Sequence, residues 1–353
     1  MNNLFNLFII MLLLTLNVAC VEKKSHPKEI SNSKIVTQFK TNTLKFTSGI
    51  RAILQDSKGN YWFGSQKEGV SYYDGKAYQY FTQTDGLPDN QIRSIQEGPD
   101  RNIWFRTANG ISMYNGVTFT NFSTEPNTPK LEWKATAENL WFSAGEKEGI
   151  HLYDGINLNY LSIPKLKNEN PNNSYGTTGI SKDKNGNVWI ATYSALFYFD
   201  GSSITNFDNR KLALKYNEKL HIRSVLADSK GQIWIGNNGI GVLLHNGEST
   251  INFSEKKGLI HANSSGNGDL SPAGTLEHVF TIAEDSHGNI WFGDRDTGAW
   301  KYDGTSMINY TIDDKLSTSM IWCIYKDKEN NLLFGMADGG VYKFNGKSFT
   351  KIF

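Results

Sequence analysis

Gly288-Asn289-Ile290-Trp291-Phe292-Gly293 is one of seven variants of a single phrase in this chain. Five precede it: Gly59-Asn60-Tyr61-Trp62-Phe63-Gly64, Arg101-Asn102-Ile103-Trp104-Phe105-Arg106, Glu138-Asn139-Leu140-Trp141-Phe142-Ser143, Gly186-Asn187-Val188-Trp189-Ile190-Ala191 and Gly231-Gln232-Ile233-Trp234-Ile235-Gly236. A worn seventh, Asn330-Asn331-Leu332-Leu333-Phe334-Gly335, follows it. From Trp62 to Leu333 the copies lie 42, 37, 48, 45, 57 and 42 residues apart. A strand-like unit recurring every ~40–50 residues predicts a β-propeller.

The first copy shows what one unit contains. Ile50–Gln55 reads as a strand and Asp56–Asn60 as a turn. Tyr61–Ser65, Val70–Tyr73 and Lys76–Phe81 complete four strands, the last two joined at Asp74-Gly75. An Asp-Gly pair between strands predicts a tight type I′ hairpin. The pair recurs in register at Asp74, Asn115, Asp154, Asp200, Asn246, Asp303 and Asn345, each followed by glycine. Turn chemistry accounts for this row, Asn replacements included, and no metal is needed to explain it. Asp183-Lys184-Asn185-Gly186-Asn187 likewise reads as a turn, since it lacks the distal glutamate of a calcium loop. A four-stranded blade has two apolar faces, each of which must meet a neighbour. Trp62, Trp104, Trp141, Trp189, Trp234 and Trp291 are therefore expected in the core between blades. The expected fold is all-β: a single seven-bladed propeller of four-stranded antiparallel blades, over residues 34–353.

Composition agrees with this expectation. The chain has 353 residues, with 20 Phe, 16 Tyr, 9 Trp and 33 Gly. Its net charge of +1 supplies no global field to draw it onto nucleic acid or an acidic membrane. Of the two cysteines, Cys323 sits in a buried-looking strand, Met320–Ile324, as a small core residue. Cys20 ends the uncharged apolar run Leu4–Ala19, which is short for a membrane span but suits a secretory signal. Val18-Ala19-Cys20 resembles the bacterial lipobox, although Asn17 stands where a branched aliphatic residue is usual. The expected organisation is a signal peptide over 1–20 with Cys20 as the lipidation site, then a flexible polar tether over 21–33. The chain is thus expected at the bacterial cell envelope, meeting the membrane through the lipid alone.

Repeats with Gly-Asn-apolar-Trp-Phe-Gly and Tyr-Asp-Gly, joined by connections such as Gly86-Leu87-Pro88, resemble the two-component regulator propeller repeats. Those repeats occur in periplasmic sensor regions of bacterial hybrid histidine kinases. The resemblance covers residues 34–353 and implies a propeller of sensor type. Sensors of that family continue into an immunoglobulin-like module, a membrane span and a kinase. No such segments are seen in this sequence, so the expectation is a free-standing, lipid-anchored propeller without kinase activity.

Two features point to one face of the ring as a binding surface. Extra length collects in connections from an outer strand to the next inner strand, at 164–177, 208–220 and 255–277. Insertions confined to one loop class lie on one side of the ring. The residue eleven before each Trp, or before Leu333, forms a column: Arg51, Arg93, Lys130, Thr178, Arg223, Phe280 and Trp322. Guanidinium groups match carboxylate and sulfate geometry, and aromatic rings stack on sugar faces, so an acidic or sulfated oligosaccharide suits this lining. The competing account is a polar channel plug in which the arginines pair with neighbouring acids.

Neither catalytic residues, a metal site nor a cofactor is assigned. Nucleophile-elbow, phosphate-loop and dinucleotide motifs are missing, as are paired-histidine metal spacings. Three functions stay open: a module binding an oligosaccharide or other small extracellular ligand, a streptogramin-lyase-like enzyme, and a scaffold for an envelope protein. For the lyase, His221, His261, Glu277 and His278 are the nearest candidates for base or metal work. Ile35–Phe39 looks like an outer strand ahead of the first repeat and is expected on the edge of the last blade.

Overall fold

The computed structural model describes residues 29–30, 40–122, 139–144, 148–164, 173–216, 218–264, 269–312 and 318–353. Each repeat forms one antiparallel sheet of strands consecutive in sequence, giving seven blades. Among the described residues five have four strands, the second has four and a short fifth at its edge, and the third shows Leu140–Ser143, Ile150–Tyr153 and Leu158–Leu161. The described part of the chain contains no helix long and apolar enough to cross a membrane.

All six repeat tryptophans are buried where one blade meets the next. Trp291 illustrates the packing: its ring contacts Tyr310 in its own blade and Phe334, Phe344 and Phe349 in the last one. The polar edge of the indole is also satisfied. Trp62, Trp234 and Trp291 donate through Nε1 to Asp56, Asp228 and Asp285, at 3.0, 2.8 and 3.0 Å. The same aspartates accept backbone N–H groups of their own turns, such as Lys58 and Asn60 on Asp56. One carboxylate thereby shapes the inner hairpin and anchors the core ring beside it.

The glycine that ends the phrase explains how blades close on each other. A β-carbon at Gly64 would lie 2.5 Å from Ile92, at Gly236 2.9 Å from Val279, and at Gly293 2.9 Å from Ile321. Each of these partners opens the inner strand of the following blade. Gly335 stands in the same relation to Ile50, 2.8 Å from its carbonyl oxygen, so the last blade meets the first as any blade meets its neighbour. Phe46 and Phe353 fill the seam beside this contact, Phe353 against Tyr61, Phe63, Tyr73 and Tyr78.

The outer hairpins differ from the type I′ expectation. In all seven, the Asp or Asn side chain accepts the backbone N–H groups two and three residues on. Only the following glycine has a positive φ, between 88° and 99°. A single positive φ excludes type I′, which needs two, and the side-chain bonds make each an Asx-type turn. The preceding carboxylate or amide closes the turn and has no need of left-handed backbone.

The expected edge strand at Ile35–Phe39 lies outside the described residues. Nearby, Thr41 bridges Tyr78 on the outer strand of the first blade. Within the stretch expected as a tether, Glu29–Ile30 pairs with Asn121 and Phe122 on the outer edge of the second blade.

Candidate functional site

The inner strands share an irregularity that builds the site. In the first blade Ile50 pairs with Ser65 and Ala52 with Gly64, leaving Arg51 outside the ladder. The same shift leaves out Arg93, Thr178, Arg223, Phe280 and Trp322 in their blades. A bulge of this kind adds one residue to a strand and re-aims its side chain. Each of these six follows a buried residue, and each lines one central cavity of about 550 Å³. Lys130 lies outside the described residues.

The mouth of the channel is held by the turns between second and third strands. Gln66, Ala108, Tyr193, Asn238, Arg295 and Ala337 donate backbone N–H groups to the residue just before each inner strand, at 2.8–3.3 Å. These turns deliver Gln66 and Tyr193 to the bulged side chains. Arg51 Nη1 donates to Gln66 Oε1 at 2.6 Å, and Arg93 Nη2 lies 3.4 Å from Gln91 Oε1. The Arg51 guanidinium lies 4.6 Å from the centre of the Trp322 ring. That of Arg223 lies 4.3 Å from Phe280 and 5.6 Å from Tyr193. Phe280 and Trp322 meet edge to face at 5.7 Å.

Electrostatically the cavity is one-sided. Its lining among the described residues includes Arg51, Arg93, Arg223 and Lys182 and no aspartate or glutamate. Among the described residues the arginines meet amides, a phenol and aromatic faces instead of the acids of a neutralised plug. Burial, then repulsion from Arg93 and Arg223, lowers the Arg51 pKa to about 10. Burial also lowers Arg223, against the opposing influence of Tyr193, and lowers Lys182. Arg93 Nε, Thr178 Oγ1 and Ser224 Oγ are buried without a hydrogen-bond partner among the described residues. Buried charge and unpaired polar groups are costly unless something of opposite sign meets them.

The lyase candidates are engaged otherwise. Glu277 is buried, its carboxylate accepting the His261 N–H at 2.6 Å and the Ser264 hydroxyl at 2.8 Å, which folds the long insertion. His278 is enclosed, with Nδ1 2.9 Å from Asn238 Oδ1 and Nε2 2.7 Å from the Asp269 carbonyl oxygen. His221 packs against Tyr193, and burial lowers its pKa, helped by Arg223. Among the described residues no three His, Cys, Asp or Glu side chains are arranged to hold a metal ion. The Cys323 thiol, pushed up to about 12 by burial, stays protonated.

The column was visible by counting back from the tryptophans, but the bulge and the supporting Gln66, Tyr193 and Lys182 were not. A signal for the bulge exists in the sequence. Ile50 and Ile53, Ile92 and Ile95, and Ile222 and Val225 are buried pairs three apart, which strict strand alternation forbids.

The family model described as two component regulator propeller matches residues 45–67, 86–109, 170–194 and 275–296. No curated protein matches the sequence. Among solved structures, the extracellular domain of a hybrid two component system from B. thetaiotaomicron aligns with TM-score 0.60 and 22% identity over 86% of this chain and 39% of that one. A second such domain from that organism gives 0.62 and 18% over 88% and 42%. Virginiamycin B lyase from Staphylococcus aureus gives 0.62 and 15% over 87% and 98%. At these identities the likeness is one of fold, and the chain spans less than half the length of the two extracellular domains. The matched segments fall in the first, second, fourth and sixth blades of the ring, so this chain carries two component regulator propeller repeats in at least four of its blades.

Proposed function

We propose that this propeller is a ligand-binding module of sensor type at the bacterial cell envelope, capturing an anionic extracellular ligand at the mouth of its channel. An acidic oligosaccharide is the leading class. One observation carries this reading: three half-buried arginines converge on a cavity whose described lining contains no carboxylate. Cavities of a few hundred Å³ suit small ligands, and the likeness to extracellular sensor domains supports the envelope setting.

Calorimetric titration of the purified propeller with sulfated and uronate-containing disaccharides tests it. Binding is expected for these and not for the neutral parent sugars. The pH profile adds a sharper check. Because Arg51 must be charged to hold an anion, affinity is expected to be flat near neutrality and to fall as the pH rises through about 10. An unchanged affinity across that range would remove Arg51 from the site.

Anchoring through Cys20 belongs to the same proposal. The expected result is that the protein fractionates with membranes and that Cys20→Ser releases it into the soluble fraction. A membrane-bound Cys20→Ser protein would sink the anchor.

A further inference from the structure

We infer that the channel selects a compact ligand with two or more anionic groups, and that Trp322 and Phe280 serve as positioning residues for Arg51 and Arg223. This rests on the anion-binding reading of the channel and narrows it. Four side chains form a continuous chain of contacts around the axis: Arg51 on Trp322, Trp322 on Phe280, Phe280 on Arg223. A guanidinium stacked on a ring keeps its N–H groups free at the edge of its plane. The stacked arginines thus present donor edges while the ring faces they cover are withdrawn from a sugar. Arg93 adds a third cation, with Nε buried and unpartnered among the described residues. Arg51, Arg93 and Arg223 are near enough for each to feel the charge of the others. A single negative group relieves only part of that repulsion, whereas a ligand with two or three meets the arginines together. The relevant chemistry is several carboxylates, sulfates or phosphates on a small core. A multiply sulfated disaccharide and a tricarboxylate such as citrate share it.

The test is a double-mutant cycle read by titration calorimetry on the full propeller. Probes are citrate, a trisulfated disaccharide, a monoanionic uronic acid and the neutral disaccharide. Wild type is expected to bind the trianions at least tenfold more tightly than the uronic acid and to ignore the neutral sugar. For the sulfated probe, Arg51→Ala is expected to weaken binding at least tenfold. Trp322→Ala is expected to weaken it as well, with partial rescue in Trp322→Phe. In Arg51→Ala/Trp322→Ala the loss should equal that of Arg51→Ala alone, because Trp322 acts through the arginine. Additive losses, or binding that does not rise with ligand charge, would overturn this inference and leave the anion site standing. Tight binding of the neutral sugar alone, undisturbed by loss of the arginines, would overturn both. Matching melting curves guard against a variant that fails to fold.

Discussion

Replacing Arg51, Arg93 and Arg223 together by alanine is expected to abolish ligand binding while the ring stays folded. A hydrogen bond to a charged group contributes about 1.5–3 kcal/mol. Each single substitution should therefore weaken an anionic ligand by roughly 10–100-fold. The triple variant should lose it from measurement. Stability has little reason to fall with it. The three side chains sit outside the strand ladders, and they repel one another in a partly enclosed channel. Removing them takes away mutually repelling charge, at the expense of three ring contacts and two side-chain hydrogen bonds to glutamines. Lysine replacements should not restore affinity, because an ammonium group neither stacks as a plane nor offers two parallel donors. If the triple variant binds the sulfated disaccharide as wild type does, the channel is not the binding site.

The second large effect concerns the tryptophan ring. Trp291→Ala is expected to lower the unfolding free energy by about 3–5 kcal/mol, measured by urea denaturation, since it empties the seam between the sixth and seventh blades. Comparison of two phenylalanine replacements separates packing from polarity. Trp291 donates to Asp285, and although burial pushes that carboxyl up, the indole and Asn289 outweigh it and hold its pKa below the ordinary range. Trp104 has Gly98 in the place of that aspartate, and its Nε1 is buried without a partner among the described residues. Trp291→Phe strips a half-buried carboxylate of a donor, whereas Trp104→Phe removes an unpaired one. The first is expected to cost about 1–3 kcal/mol more than the second. Equal losses would mean that the aspartate does no more than shape its turn.

These two cases also mark how far the sequence could be read. Every blade needs the same neighbour contact, so the tryptophan recurs, and the ring could be counted before any coordinates. Hairpin positions were equally plain, because Asp-Gly and Asn-Gly serve the turn whichever type it takes. Turn type itself was not plain: glycine at the second place satisfies more than one geometry, and the aspartate's acceptor role decided between them. The column Arg51, Arg93, Thr178, Arg223, Phe280 and Trp322 could be found by spacing. Its convergence could not, because convergence depends on one unpaired residue in each of the six described inner strands. Nor could spacing show that Trp322 and Phe280 carry arginines on their faces, a relation between residues far apart in the chain.

The residue left out of each ladder gives the ring a division of labour. Folding is written in the paired positions: the tryptophan, the closing glycine, the turn aspartate and the buried residue on either side of the bulge. What faces the axis is written in a separate alphabet, one letter per blade, with no hydrogen-bond ladder to upset when a letter changes. Such a ring resembles a combination lock whose dials turn without loosening the case. New ligands can be tried by changing single residues, and the cost of a poor choice falls on recognition instead of on survival of the fold.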